Sequence, residues 1–224
     1  MPPVEHEREL LYNWPMRTYG AVNLSVLLFL IALNVVLFII TLLRPEEMIE
    51  YLALTPALVP ERPWTIISSM FVHGGFGHIL FNMLALYFLG SFVIRAAGDR
   101  VFLAVFFLGG IAGSMLYFLL GQLVLQNALP PVFGNPWTPA VGASGAIFGL
   151  AGTLAIIVPR VPVIIFPIPI PMPLWVAILI FSVVLILLPI GIPTSIGWQA
   201  HLGGLALGLV AGLVFRRRRR IYYF

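Results

Sequence analysis

The feature that most constrains this chain is a succession of long apolar runs, beginning at 24–43 and ending at the five consecutive arginines 216–220. A run of about 20 apolar residues is what a helix needs to cross a bilayer. Hydrophobic residues make up 61% of the 224 and charged residues only 9%. An ordinary soluble domain carries roughly 25% charged residues, so a soluble globule is excluded. The runs fall at 24–43, 78–97, 101–125, 141–158, 174–188 and 200–215. The expected fold is all-α: a polytopic membrane protein with one six-helix bundle over 24–215. A polar tail, 1–23, precedes it and a basic tail, 216–224, follows. The first run is too long for a signal-peptide core and lacks a small-residue cleavage site, so it reads as a retained helix.

The segments between the runs carry their own signals. Residues 44–70 form a long connection rich in Glu and Pro, with Tyr51, Leu52, Leu54 and Trp64 among them. That mix predicts a structured loop at the membrane interface, anchored by Trp64. Six prolines between Pro159 and Pro173 preclude a continuous helix, so this apolar stretch is expected to be extended. Six spans put both termini on one side. Arg8, Arg17, Arg95, Arg100, Arg160 and the block 216–220 fall on that side; only Arg44 and Arg62 fall on the other. The bias predicts cytoplasmic termini and a plasma-membrane protein. The arginine block reads first as a stop and orientation signal, and second as a patch for nucleic acid or anionic lipid. The net charge of +4 is therefore no nucleic-acid signal.

Polar groups inside lipid are costly and tend to have a task. The runs that start on the outer face carry His78 and Asn82, then Ser144, then His201, each near its first turn. That places all four at similar shallow depth. Gly145, Gly149 and Gly152 line one helix, and Gly204, Gly208 and Gly212 another. Such small-residue stripes let backbones approach closely. His201 lies on the glycine face of its helix and Ser144 borders the other stripe. If the stripes meet, the two side chains reach each other. Serine alone is often just a small packing residue, but a histidine in lipid without a partner is the expensive alternative.

A serine hydroxyl becomes a nucleophile when a base takes its proton, and histidine suits that work near neutrality. His78 and Asn82, four residues apart on one helical face, can donate to an oxyanion together with the Ser144 backbone N–H. Each also reads as an ordinary structural hydrogen bonder. His73 reads as a loop stabiliser. No acidic residue follows Asp99 and none lies in an apolar run. This excludes a membrane aspartyl pair and an HExxH metal site. The chain has no lysine for a Ser–Lys pair, and no cysteine for a thiol nucleophile, disulfide or thiolate metal site. With no carboxylate placed to orient His201, a Ser–His dyad is expected rather than a triad. Residues 142–145, GASG, are not the GxSxG elbow, because Ala146 breaks that pattern.

In combination, HGGFGHILFNMLALYFLG (73–90), GASGAIFG (142–149) and AHLGGLALG (200–208) resemble the rhomboid family of intramembrane serine proteases. The resemblance implies Ser144 as nucleophile, His201 as general base, and His78 and Asn82 as oxyanion support. It implies no metal and no cofactor. It further implies a half-embedded first loop, and a gate and cap formed by the fifth helix and residues 189–199. The partners it implies are transmembrane protein substrates, cut in or near their membrane segments. Three positions depart from the family pattern. Thr65 follows Trp64 where the family often has Arg, with Arg62 as a substitute. Ile94 stands where Glu often lies between Gly90 and Gly98. Phe148 stands where some members have Tyr, able to stack on the histidine but not to hydrogen-bond. A catalytically silent relative that holds membrane clients is the alternative. A transporter would need charges or repeat symmetry that the chain lacks.

Overall fold

A computed structural model of the protein describes residues 23–165, 168–191 and 197–219. The N-terminal tail 1–22, the end of the basic tail and part of the expected cap, 192–196, lie outside the described residues. The described chain is mostly helical. Helix α1 is Ser25–Leu43, α2 is Pro45–Leu52 and α3 is Thr65–Ser68. Helix α4 is Phe76–Ala97, α5 is Asp99–Leu125 and α6 is Ser144–Ile157. Strands β1 (Pro162–Ile165) and β2 (Ile168–Pro173) follow, then α7 (Leu174–Gly191) and α8 (Trp198–Arg219).

Among the described residues, four helices are long and apolar enough to cross a membrane: α1, α4, α5 and α8. Helix α6 is apolar but only 14 residues long, which is about 21 Å at 1.5 Å per residue. That is short of the ~30 Å hydrocarbon core. The all-α expectation holds for the bundle and needs correction at one stretch, expected to be extended. The proline-rich stretch closes on itself as an antiparallel ribbon, pairing Pro162 with Pro173, Val163 with Met172 and Ile165 with Ile168, with an irregularity between Val163 and Ile165. Proline is tolerated in a two-stranded ribbon because each strand has an unpaired edge. Helix α8 also runs on past Phe215 into the arginines, to Arg219.

Helix α6 is the axis of the bundle. Every residue from Gly145 to Leu154 is buried, whereas α1 exposes Phe29, Val36, Ile39 and Leu42. An apolar helix buried all round is core, and one exposed along a face is positioned to meet lipid. The two glycine stripes meet. A side-chain carbon built on Gly204 would fall inside contact distance of the Gly145 carbonyl, and one on Gly208 would do the same to Gly149. The Thr153 hydroxyl lies 3.0 Å from the carbonyls of both Gly149 and Gly208, tying the pair of helices together. On its other side α6 packs on α5, where a carbon built on Gly149 would lie 3.1 Å from the Gly109 Cα.

The first loop is a small structure in its own right. A helix C-terminus leaves its last four carbonyls without helical partners, and in α2 each finds one. The Ala53 N–H donates to Ile49 at 3.1 Å, Arg62 donates to the carbonyl of Glu50, Trp64 Nε1 donates to Tyr51 at 2.8 Å, and Ser68 Oγ donates to Leu52 at 2.9 Å. Arg62 also reaches the Glu50 carboxylate at 3.2 Å and lies over the Tyr51 ring. Thr65, buried, donates back to the Arg62 carbonyl at 2.7 Å. Arg62 therefore does tie down the loop from a position two residues before Trp64.

Candidate active site

The chain leading into α6 is positioned by this loop. Leu54 and Ala140 exchange two backbone hydrogen bonds, at 3.0 and 2.8 Å, and the Gly142 N–H donates to the Ser69 carbonyl at 2.9 Å. Tyr117 OH holds the Thr138 carbonyl at 2.9 Å. Irregular backbone at membrane depth is tolerated where protein satisfies it, and these bonds do so for 138–142. Gly142 has φ +117°, a left-handed conformation that excludes helix. That is why α6 begins at Ser144 rather than at Val141. The ring of His78 lies directly over Gly142, where a side-chain carbon would come 2.7 Å from its Nε2.

Depth differs from the sequence-based expectation. The first turn of α6 faces the middle of α5, since Gly145 packs beside Gly113 in a helix running from Asp99 to Leu125. Gly113 lies about 18 Å along the axis from the Leu125 end. Ser144 is thus near mid-bundle rather than shallow, because 126–143 folds back from the end of α5 before α6 starts.

At that level His201 Nε2 lies 2.9 Å from Ser144 Oγ. His201 is buried and Ser144 half-buried, so the serine is the member within reach of an incoming group. Phe148 stacks flat on the His201 ring, centroids 4.5 Å apart at 15°, and Phe181 of α7 stacks behind Phe148 at 6.0 Å. The other ring nitrogen, Nδ1, faces the Leu185 carbonyl of α7 at 3.4 Å. Asn82 is buried and donates to the His78 carbonyl at 2.8 Å, while its Oδ1 has no partner. Gln199, two residues before His201, donates to the Phe133 carbonyl at 2.8 Å and ties the start of α8 to the loop before Ser144. Reasoning from sequence missed Phe181, Leu185 and Gln199. Each acts across the tertiary fold, and no local pattern marks it. Among the described residues no three His, Asp or Glu side chains gather into one group.

His73, read from sequence as a loop stabiliser, lies in the loop just before α4. It is fully buried, neither ring nitrogen has a partner, and it meets His78 edge-on at 5.2 Å. Burial, with the neighbouring His78 second, lowers its pKa from 6.5 to about 4. Between these values the unfolded chain binds the proton and the folded protein does not. The contribution to stability is therefore complete above pH 6.5 and is lost as the pH falls toward 4. Melting temperature is expected to drop over that interval, and His73→Phe should flatten the drop. An unchanged slope in the variant would assign the acid sensitivity to another group.

Comparison with known proteins shows the family. The Rhomboid domain family matches residues 60–218. Rhomboid protein 1, mitochondrial, of Saccharomyces cerevisiae is 32% identical over 154 residues, covering 66% of this chain and 40% of that protein. RHOMBOID-like protein 12, mitochondrial, of Arabidopsis thaliana is 32% identical over 161 residues, covering 69% and 47%. Rhomboid protease GluP of Bacillus subtilis is 35% identical over 91 residues, covering 41% and 15%. Each match thus covers less than half of the relative's length. The family match spans most of the chain, including α4, α6 and α8 with the residues gathered around Ser144. This chain is a membrane protein with four candidate spans among its described residues, and it belongs to the rhomboid family.

Proposed function

We propose that this protein is an intramembrane serine endopeptidase. The observation that carries the reading is the 2.9 Å contact between His201 Nε2 and Ser144 Oγ, set at mid-bundle with the histidine buried. In the first step Ser144 Oγ bonds to the scissile carbonyl carbon as its proton passes to His201 Nε2. His201 then gives that proton to the departing amine, leaving an acyl-serine. Water, deprotonated by His201, releases the acyl group and restores the serine. The developing oxyanion is met by the first-turn amides of α6, which have no helical acceptor, and by donors from His78 and Asn82. The His78 ring over Gly142, two residues before the nucleophile, supports that role.

The substrates proposed are transmembrane segments of other proteins, entering beside α7 in a six-helix bundle whose α6 and α7 complete the four longer spans. The proposed setting is a plasma membrane with both termini cytoplasmic, which the arginine distribution favours. The test is purified protein in liposomes with a model transmembrane substrate and a fluorophosphonate probe. The expected result is cleavage together with covalent labelling at Ser144. Correctly folded protein that neither cleaves nor labels would replace this reading with a silent relative that holds membrane clients.

A further inference from the structure

We infer that the carbonyl of Leu185, freed from the α7 hydrogen-bond ladder by Pro189, is the group that orients His201. In a regular helix each carbonyl accepts the N–H four residues on. Four residues after Leu185 stands Pro189, which has no N–H to give. Both residues lie within the helix Leu174–Gly191. A carbonyl left without a donor inside a membrane helix is costly, and His201 Nδ1 lies 3.4 Å from this one.

A carbonyl oxygen can only accept, so this pairing requires the hydrogen to be on Nδ1. That leaves the Nε2 lone pair facing Ser144 Oγ at 2.9 Å, the tautomer a general base needs. In a Ser-His-Asp triad the carboxylate holds this tautomer and fixes the ring. Here the acidic residues all lie at or before Asp99, and a neutral backbone acceptor takes the task. The bond is long, and contacts of this kind in an unliganded site tighten when substrate binds. Helix α7 also backs the face of the ring, through Phe181 against Phe148 and Phe148 against His201. The base is therefore held at one edge and one face by the same helix. Seating of α7 sets its tautomer as well as its position.

The bland account of Pro189 is that it ends a helix. That account makes the His201 tautomer indifferent to an N–H at position 189. The inference deepens the reading of His201 as the base, but it can be measured without activity. The full protein, labelled with 15N-histidine, has four histidines, and His201→Gln assigns the signal. The wild type is expected to show His201 as a single Nδ1–H tautomer. Pro189→Ala restores an N–H that competes for the Leu185 carbonyl. The expected results are a mixed tautomer signal and about tenfold slower fluorophosphonate labelling, with melting temperature unchanged or raised. Lactic acid incorporated at position 189 puts an ester in place of the amide and again offers no N–H. It should restore both readouts to the wild-type values.

A wild-type Nε2–H tautomer overturns the inference, even if Pro189→Ala fails to fold. So does a Pro189→Ala protein that keeps the single Nδ1–H form. Labelling of wild type with a tautomer that ignores position 189 keeps the protease reading and removes this one. A tautomer that responds to position 189 in a protein that never labels does the reverse.

Discussion

Ser144→Ala is expected to abolish substrate cleavage and fluorophosphonate labelling, with a loss of about 10⁴-fold or more and no change in melting temperature. Ser144 is the first residue of α6 and is only half-buried, so removing its hydroxyl leaves the helix packing untouched. What goes is the atom that bonds to the substrate carbonyl. His201→Ala is expected to match that loss closely, because a hydroxyl without its base stays protonated. The double variant should be no worse than either single one, since a nucleophile and its base act as a unit. His201→Ala also removes the partner of Phe148 in the ring stack at 4.5 Å, so a modest fall in melting temperature is expected for it alone. The measurement is a single-turnover labelling rate beside a melting curve. A Ser144→Ala protein that still cleaves would place the nucleophile elsewhere and remove the proposed mechanism.

Gly208→Val is expected to be the most damaging single change to the fold. The position faces the backbone of Gly149 so closely that a β-carbon would meet the carbonyl group itself. A flexible side chain can move away from an added methyl group, but a helix backbone cannot. Helices α6 and α8 must separate, and the Thr153 hydroxyl then loses the Gly208 carbonyl it reaches at 3.0 Å. Overpacking in cores costs about 1–3 kcal/mol where neighbours can yield, and more is expected here. A fall in melting temperature of about 10 °C or outright misfolding should follow. Activity should fall with it, since α6 carries Ser144 and α8 carries His201. Gly75→Ala and Gly77→Ala are the controls. Neither position has an atom within 4 Å of the added carbon, and both variants should melt like wild type. A stable Gly208→Val protein would mean that the two helices can part without loss.

Much of this protein was legible in its residue order because membranes impose one-dimensional rules. Hydropathy marks apolar runs, and prolines mark where helix is impossible. Glycines at helical spacing mark the faces of α6 and α8 that approach, and motifs on three separated segments mark the family. These signals depend on periodicity along one element, which the sequence states directly. Helix ends were less legible. Gly142 at positive φ moved the start of α6 from Val141 to Ser144, and α6 proved too short to span by itself.

What only the tertiary structure decided was which backbone groups find partners across distance. The carbonyls of Glu50, Tyr51 and Leu52 are capped by Arg62, Trp64 and Ser68, and through Leu54 and Ala140 that loop fixes the approach to Ser144. Arg62 was legible as a candidate, but its acceptor was not. Likewise Pro189 announces in sequence that some carbonyl in α7 lacks its donor, while the seating of α7 against α8 decides that His201 faces it. A hydrogen-bond deficit is a local property of the chain. The group that fills it depends on distances between elements, and those are set by how backbones pack.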